Sequence, residues 1–276
     1  MTDLYAVIGH PIAHSKSPLI HEAFAKQTNQ DMRYEPILGP LDGFEATVHD
    51  LIAKGYKGVN VTVPFKFEAF KFAKQPSKRA IFAGAANTLS FADEVRADNT
   101  DGAGLVRDIE GNLKVSIAAK SILLIGAGGA AEGVLQPLLE AKPKLLVIAN
   151  RTLEKAQDMV KKVERQKSDS PTTLTGCTFA DLQSQQFDIV INATSAGLTE
   201  TALPIPNSLF AKNCLAYDMM YGRETPFMQQ ARQNGAQVAD GLGMLVEQAA
   251  EAFYIWRGVR PETRTVIQQI RNLPKA

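Results

Sequence analysis

The chain has 276 residues, enough for two domains or one large one, with 45% apolar and 21% charged residues, an ordinary balance for a globular protein. A formal net charge of +1 gives no field that would gather nucleic acid or an anionic membrane, so any anion binding must come from a few local groups. No apolar run approaches the roughly 20 residues that cross a bilayer. Residues Met1 to Gly9 carry one acid and no base and do not read as a secretory signal, while Cys177 and Cys214 have neither metal-site nor disulfide-framework spacing. These features fit a cytoplasmic protein without a bound metal.

The first hundred residues alternate short apolar runs with helical patterns. Leu4 to Gly9 reads as a strand, and Ser17-Pro18 as a helix start with Ser17 at the N-cap and Pro18 in the first turn. Tyr34 to Leu38 is a second strand, Phe44 to Ala53 a helix ending at Gly55, and Gly58 to Val63 a strand stopped by Pro64. This β-α-β-α-β order predicts a mostly parallel sheet covered by helices. A second such unit begins near residue 120. Ser121 to Ile125, Leu145 to Ala149, Asp188 to Asn192 and Leu215 to Asp218 are expected strands. Helices are expected from the glycine-rich turn to Leu139, over Leu153 to Val163, and over Met244 to Arg257. The polar stretch Gln166 to Thr175 reads as a loop. Phe253, Tyr254 and Trp256 read as core. The expected fold class is α/β, with residues 1–103 and 240–276 forming one α/β domain, 104–239 a second of Rossmann type, and a cleft between them.

The chemistry is concentrated in a few segments. Gly126-Ala127-Gly128-Gly129-Ala130-Ala131 directly follows an apolar strand and opens a helix. In that context glycines permit a tight turn and let free backbone N–H groups approach a pyrophosphate. No Lys-Ser or Lys-Thr follows the glycines, which excludes a Walker A loop. At the end of the next strand, where NAD-binding folds place a carboxylate on the ribose, stands Asn150-Arg151-Thr152-Leu153-Glu154-Lys155. Arg151 can pair with a 2′-phosphate through its planar fork, and Lys155 adds charge one turn on, so the cofactor predicted is NADP. In the first unit, His14-Ser15-Lys16-Ser17 and Asn60-Val61-Thr62-Val63-Pro64-Phe65-Lys66 stand at strand ends, with Ala86-Asn87-Thr88 and Asp98-Asn99-Thr100-Asp101-Gly102 as a third polar segment. Hydroxyls, amides, a lysine and an aspartate suit a small molecule bearing a carboxylate and several hydroxyls. His10, His14 and His21 lack carboxylate or thiolate partners and do not read as a metal site.

These segments, followed by Asn192-Ala193-Thr194-Ser195 and Asp240-Gly241-Leu242-Gly243-Met244-Leu245-Val246, resemble the shikimate dehydrogenase family in order and over nearly the whole length. The resemblance implies NADPH-dependent reduction of 3-dehydroshikimate to shikimate, on the route to chorismate and the aromatic amino acids. It implies Lys66 as acid/base with Asp101, and Ser15, Ser17, Thr62 and Tyr221 on the substrate carboxylate. Asn87, Asp101 and Gln248 would hold ring hydroxyls. Gly126, Ala127, Gly128, Gly129, Ala130, Asn150, Arg151, Thr152 and Lys155 would hold NADP, with Thr194, Met219 and Gly241 near it. The implied partner is a small molecule only, and the protein a monomer or homodimer. A quinate/shikimate dehydrogenase of broader cofactor use and a non-catalytic NADP-binding sensor are the competing readings. The sequence departs from the family at His10, at Phe67 after the lysine, at Glu132 in the glycine-rich helix, and at Lys155 where arginine is usual.

Overall fold

A computed structural model describes residues 2–165, 171–194 and 202–273. The chain forms two compact units: residues 1–104 with 245–276, and residues 105–244. Ser195 and positions 166–170 of the expected loop lie outside the described residues.

The first unit is built on a six-stranded mixed sheet in the order β2-β1-β3-β5-β6-β4. Its strands are β1 (Asp3–Gly9), β2 (Met32–Leu38), β3 (Tyr56–Val61), β4 (Gln75–Pro76), β5 (Thr88–Phe91) and β6 (Val95–Asp98). β1 runs parallel to both β2 and β3, whereas β5 is antiparallel to β3 and to β6. The helices are α1 (Ser17–Gln27), α2 (Phe44–Ala53), α3 (Lys66–Phe72) and α4 (Lys78–Ala83). One face of the sheet buries Ala6, Ile8, Val59, Val61 and Leu89 against Phe44, Val48 and Phe65.

Helix α5 (Asp101–Arg107) carries the chain into the second unit, and α9 (Leu242–Arg257) brings it back before α10 (Arg264–Arg271). α9 closes the first core. Phe253 is fully buried against Phe24, and Trp256 Nε1 donates to Leu89 O at 3.1 Å. Gly58 in β3 makes room for that indole, because a Cβ there would lie 2.5 Å from Trp256 Nε1. Arg79 reaches Asp98 with two nitrogens, at 2.9 and 2.8 Å, and Glu251 with a third at 3.0 Å. Arg257 pairs with Asp3. Residues 172 and 254 positions apart in sequence are thereby tied together.

The second unit has an all-parallel sheet in the order β12-β11-β10-β7-β8-β9. The strands are β7 (Ser121–Ile125), β8 (Leu145–Ala149), β9 (Thr173–Cys177), β10 (Phe187–Asn192), β11 (Phe210–Asp218) and β12 (Gln237–Ala239). Counted within the unit this is order 3-2-1-4-5-6, the doubly wound Rossmann topology. Helices α6 (Gly129–Glu140), α7 (Leu153–Arg165) and α8 (Pro226–Gln233) connect the strands. β7, β8 and β10 have apolar interiors because both faces of a parallel sheet are covered.

Three expectations are corrected. Ser17 is the first helical residue of α1, and Lys16 occupies the N-cap; the Ser17 N–H donates to Ser15 Oγ at 3.3 Å. The expected polar loop contains the start of β9, an edge strand that pairs only with β8 and so needs little apolar surface. Tyr254 is 46% exposed rather than core, and the Arg260 guanidinium lies 4.8 Å from its ring centroid. Among the described residues, no helix is long and apolar enough to cross a membrane.

Candidate active site

The turn after β3 brings Lys66 to the start of α3, and the β6–α5 junction places Asp101 at the start of α5. Lys66 Nζ donates to Asp101 Oδ2 at 2.5 Å, with the side chains 28% and 12% exposed. The other carboxylate oxygen, Oδ1, accepts from Asn87 Nδ2 at 2.8 Å. Asn87 is itself buried. Its Oδ1 accepts the Thr100 N–H at 2.9 Å, and its Nδ2 lies 3.2 Å from Gln248 Oε1. Gln248 is fixed by its own Nε2, which donates to Leu245 O at 2.8 Å. Lys66, Asp101, Asn87 and Gln248 thus form one cluster, joined from four separate chain segments.

Ser15, Ser17 and Thr62 gather at the carboxyl ends of β1 and β3. The strand ends are held together by His10 N–H donating to Val63 O at 3.0 Å and Thr62 N–H donating to Ile8 O at 2.9 Å. Ser15 and Thr62 are half-buried and Ser17 buried. His10 Nδ1 lies 2.9 Å from Gly39 O. His21 sits in the core, its ring stacked on Tyr34 at 4.1 Å, and burial lowers its pKa to about 3. Phe67 is 53% exposed. Tyr221 lies in the second unit, beyond β11; burial raises its pKa, so the phenol stays a neutral donor.

In the second unit, the turn Gly126 to Gly128 links β7 to α6. Gly126 has φ +110°, a backbone region that disfavours side chains, and a Cβ there would press on Thr194 Cγ2 at 3.1 Å. Gly128, Gly129 and Ala130 are exposed, and among the described residues no side chain caps the first N–H groups of α6. Uncapped donors at the end of a helix dipole form an anion site. Beyond β8, Arg151, Thr152 and Lys155 are exposed, and among the described residues Arg151 and Lys155 have no ion-pair partner. Asn150 Nδ2 donates to Thr152 O at 2.9 Å and shapes this turn. The groups present therefore fit a pyrophosphate at the glycine turn and a further phosphate beyond β8. Glu132 does not stand as a bare acid beside the turn: its carboxylate accepts from Lys162 Nζ at 2.6 Å.

Thr194, Met219 and Gly241 are brought together by residues the sequence reading passed over. Asn192 Oδ1 accepts from Thr194 N–H at 3.1 Å and Thr194 Oγ1 at 2.7 Å, and Asn192 O accepts the Met219 N–H at 3.0 Å. The fully buried Asp218 receives Asn192 Nδ2 at 3.2 Å and Thr225 Oγ1 at 2.6 Å. Burial raises the pKa of that carboxyl, and the Thr225, Met220 and Asn192 donors offset this only in part. Gly241 N–H donates to Met220 O at 2.9 Å. The available signal was polar residues closing two otherwise apolar strands.

A dinucleotide-type parallel sheet with an uncapped glycine turn, joined to a mixed α/β unit carrying a Lys–Asp pair, defines a two-domain nucleotide-dependent α/β protein. Residues 7–89 match the shikimate dehydrogenase substrate binding domain, 108–201 the shikimate / quinate 5-dehydrogenase domain, and 241–271 the shikimate 5′-dehydrogenase C-terminal domain. A protein of Methylobacillus flagellatus named shikimate dehydrogenase (NADP(+)) is 61% identical, over 98% of this chain and 99% of that one. The crystal structure of an Ael1 enzyme from Pseudomonas putida is 48% identical, with TM-score 0.93 and full coverage of both chains. The shikimate 5-dehydrogenase of Thermus thermophilus, solved with NADP(H) and shikimate, is 28% identical with TM-score 0.86 and covers 98% of this chain and 99% of its own. The chain belongs to the shikimate dehydrogenase family.

Proposed function

We propose that the chain is an NADP-dependent shikimate dehydrogenase that reversibly reduces 3-dehydroshikimate to shikimate, in the cytoplasm, as a monomer or homodimer. The observation that carries this reading is the Lys66–Asp101 pair at 2.5 Å with Asn87 and Gln248 beside it, in the unit that matches the family's substrate-binding domain. Residues 1–103 with 240–276 serve as the substrate domain, and 104–239 as the cofactor domain.

Bound NADPH supplies the hydride. Lys66 donates a hydrogen bond to the ring carbonyl oxygen and then a proton, as negative charge develops there. Asp101 holds the ammonium in place and, with Asn87 and Gln248, reads the ring hydroxyls. Ser15, Ser17 and Thr62 hold the substrate carboxylate through neutral donors. Gly126 to Ala130 present N–H groups to the pyrophosphate. Arg151, Thr152 and Lys155 take the 2′-phosphate, with Asn150 shaping the turn. Thr194, Met219 and Gly241 line the nicotinamide end.

The test is reduced-nicotinamide absorbance with purified protein in three arms: shikimate with NADP, shikimate with NAD, and quinate with either. Reduction in the first arm alone supports the assignment. Equal rates with quinate and NAD would replace it with a broader dehydrogenase, and no reduction in any arm would leave a nucleotide-binding protein without this chemistry.

A further inference from the structure

Behind the Lys66–Asp101 pair runs a chain of side-chain hydrogen bonds that crosses the first sheet. Tyr34 in β2 donates its hydroxyl to Asn60 Oδ1 at 2.8 Å. Asn60 in β3 offers Nδ2 to Thr88 Oγ1 at 3.1 Å. Thr88 in β5 donates to Asn87 Oδ1 at 3.0 Å. Asn87 Nδ2 donates to Asp101 Oδ1, whose other oxygen receives Lys66.

Two backbone groups force the direction of this chain. Asn60 Nδ2 also lies 3.1 Å from the Asn87 carbonyl, which can only accept, so the Asn60 amide must turn its NH2 toward Thr88 and its oxygen toward Tyr34. The Thr100 N–H, which can only donate, faces the oxygen of Asn87, so that amide must turn its NH2 toward Asp101. Thr88 accepts from Asn60 and spends its single hydroxyl proton on Asn87. Asn60, Thr88 and Asn87 are 7%, 1% and 3% exposed, which leaves these groups few solvent alternatives.

We infer that Tyr34, Asn60 and Thr88 are positioning residues for the proton-transfer pair: their serial donation reaches the same Asn87 oxygen as the Thr100 N–H and reinforces the amide orientation that presents a donor to Asp101, which fixes the carboxylate on Lys66. Serial links polarise one another, so the terminal contact depends on the far members. The inference rests on the assignment of Lys66 and Asp101 as the acid/base pair.

The experiment is a double-mutant cycle of Tyr34→Phe and Thr88→Val, with Thr88→Ser as the conservative control, each compared with wild type. Thermal midpoint and NADP affinity report that the variants fold. Thr88→Val is expected to lower kcat for shikimate about tenfold and Tyr34→Phe about threefold, with KM for NADP unchanged and Thr88→Ser close to wild type. Once Thr88→Val has cut the chain, adding Tyr34→Phe should cost nothing more. Independent multiplication of the two losses, or equal losses in Thr88→Ser and Thr88→Val, would overturn the inference. A substrate-free reading comes from hydrogen exchange of the 15N-labelled Asn87 side-chain amide. Faster exchange in Tyr34→Phe and Thr88→Val than in wild type supports the chain even if shikimate is not turned over, whereas unchanged exchange refutes it. Absence of wild-type turnover counts against the function proposed above.

Discussion

In the first unit, both ends of the Asn87 amide are held, its oxygen by Thr100 N–H and Thr88 Oγ1 and its nitrogen by Asp101 Oδ1 and Thr100 Oγ1, with Gln248 Oε1 at 3.2 Å. In the second unit, the N–H groups at the start of α6 have no side-chain cap, and Arg151 and Lys155 have no ion-pair partner among the described residues. A site that moves a proton gains from groups ordered before the substrate arrives, since reorganisation then adds nothing to the barrier. A site that holds phosphates can leave its donors open to water, because the ligand brings the charges that complete it. The first unit's polar groups are bonded to one another, whereas those of the second face solvent.

The comparison is broken hardest at Lys66. Lys66→Ala should lower kcat by roughly 10²–10⁴ while NADPH still binds, as read by fluorescence titration; near-normal turnover would sink the acid/base role. The next effect is on stability against pH. His21 has a folded pKa of about 3 against an ordinary 6.5, so the unfolded chain takes up its proton first as pH falls. Its share of stability is complete above about 6.5 and is lost at about 1.4 kcal/mol per pH unit down to about 3, levelling off below. Denaturant midpoints across that window should flatten in His21→Phe. Arg79→Met should strip Asp98 and Glu251 of their shared cation and cost about 3 kcal/mol in unfolding free energy, with little change in NADP affinity. On the second unit, Arg151→Ala should weaken NADPH binding by about 10–100-fold and NADH binding far less; equal losses would remove the 2′-phosphate assignment. Smallest is Lys162→Met, which leaves Glu132 uncompensated in the first turn of α6 and should weaken NADPH by about 2–5-fold, with Glu132→Gln in the same chain restoring it.

What the sequence made legible follows from burial. β7 and β8 are near-continuous apolar runs because both faces are covered, and they start and end where the pattern says. β4, β5, β6 and β12 are two to four residues long and too short to show a period, and β9 is a half-exposed edge. Ser17 looked like an N-cap because Pro18 follows, but the turn at Ser15 moved the helix start by one residue. At the site, Lys66, Asn87, Asp101 and Gln248 stood in recognisable segments. Thr88 stood beside Asn87 in one of them, but its tie to Asn60 and that of Tyr34 were not legible, since those hydrogen bonds run across the sheet rather than along the chain. Asp218 is hidden for the same reason, as its role depends on Asn192 in the neighbouring strand.

The seat that Gly58 leaves for Trp256 bears on the order in which the chain acquires structure. Translation delivers every strand of the first unit by residue 98, yet the indole that closes its core, and the Glu251 and Arg257 that tie it, emerge only after the whole second unit has been made. The intervening Rossmann unit can collapse on the ribosome while the first sheet waits with one face covered by α1 alone. The nascent protein thus passes through an interval in which its Rossmann unit is complete and its first unit is still exposed to misassociation.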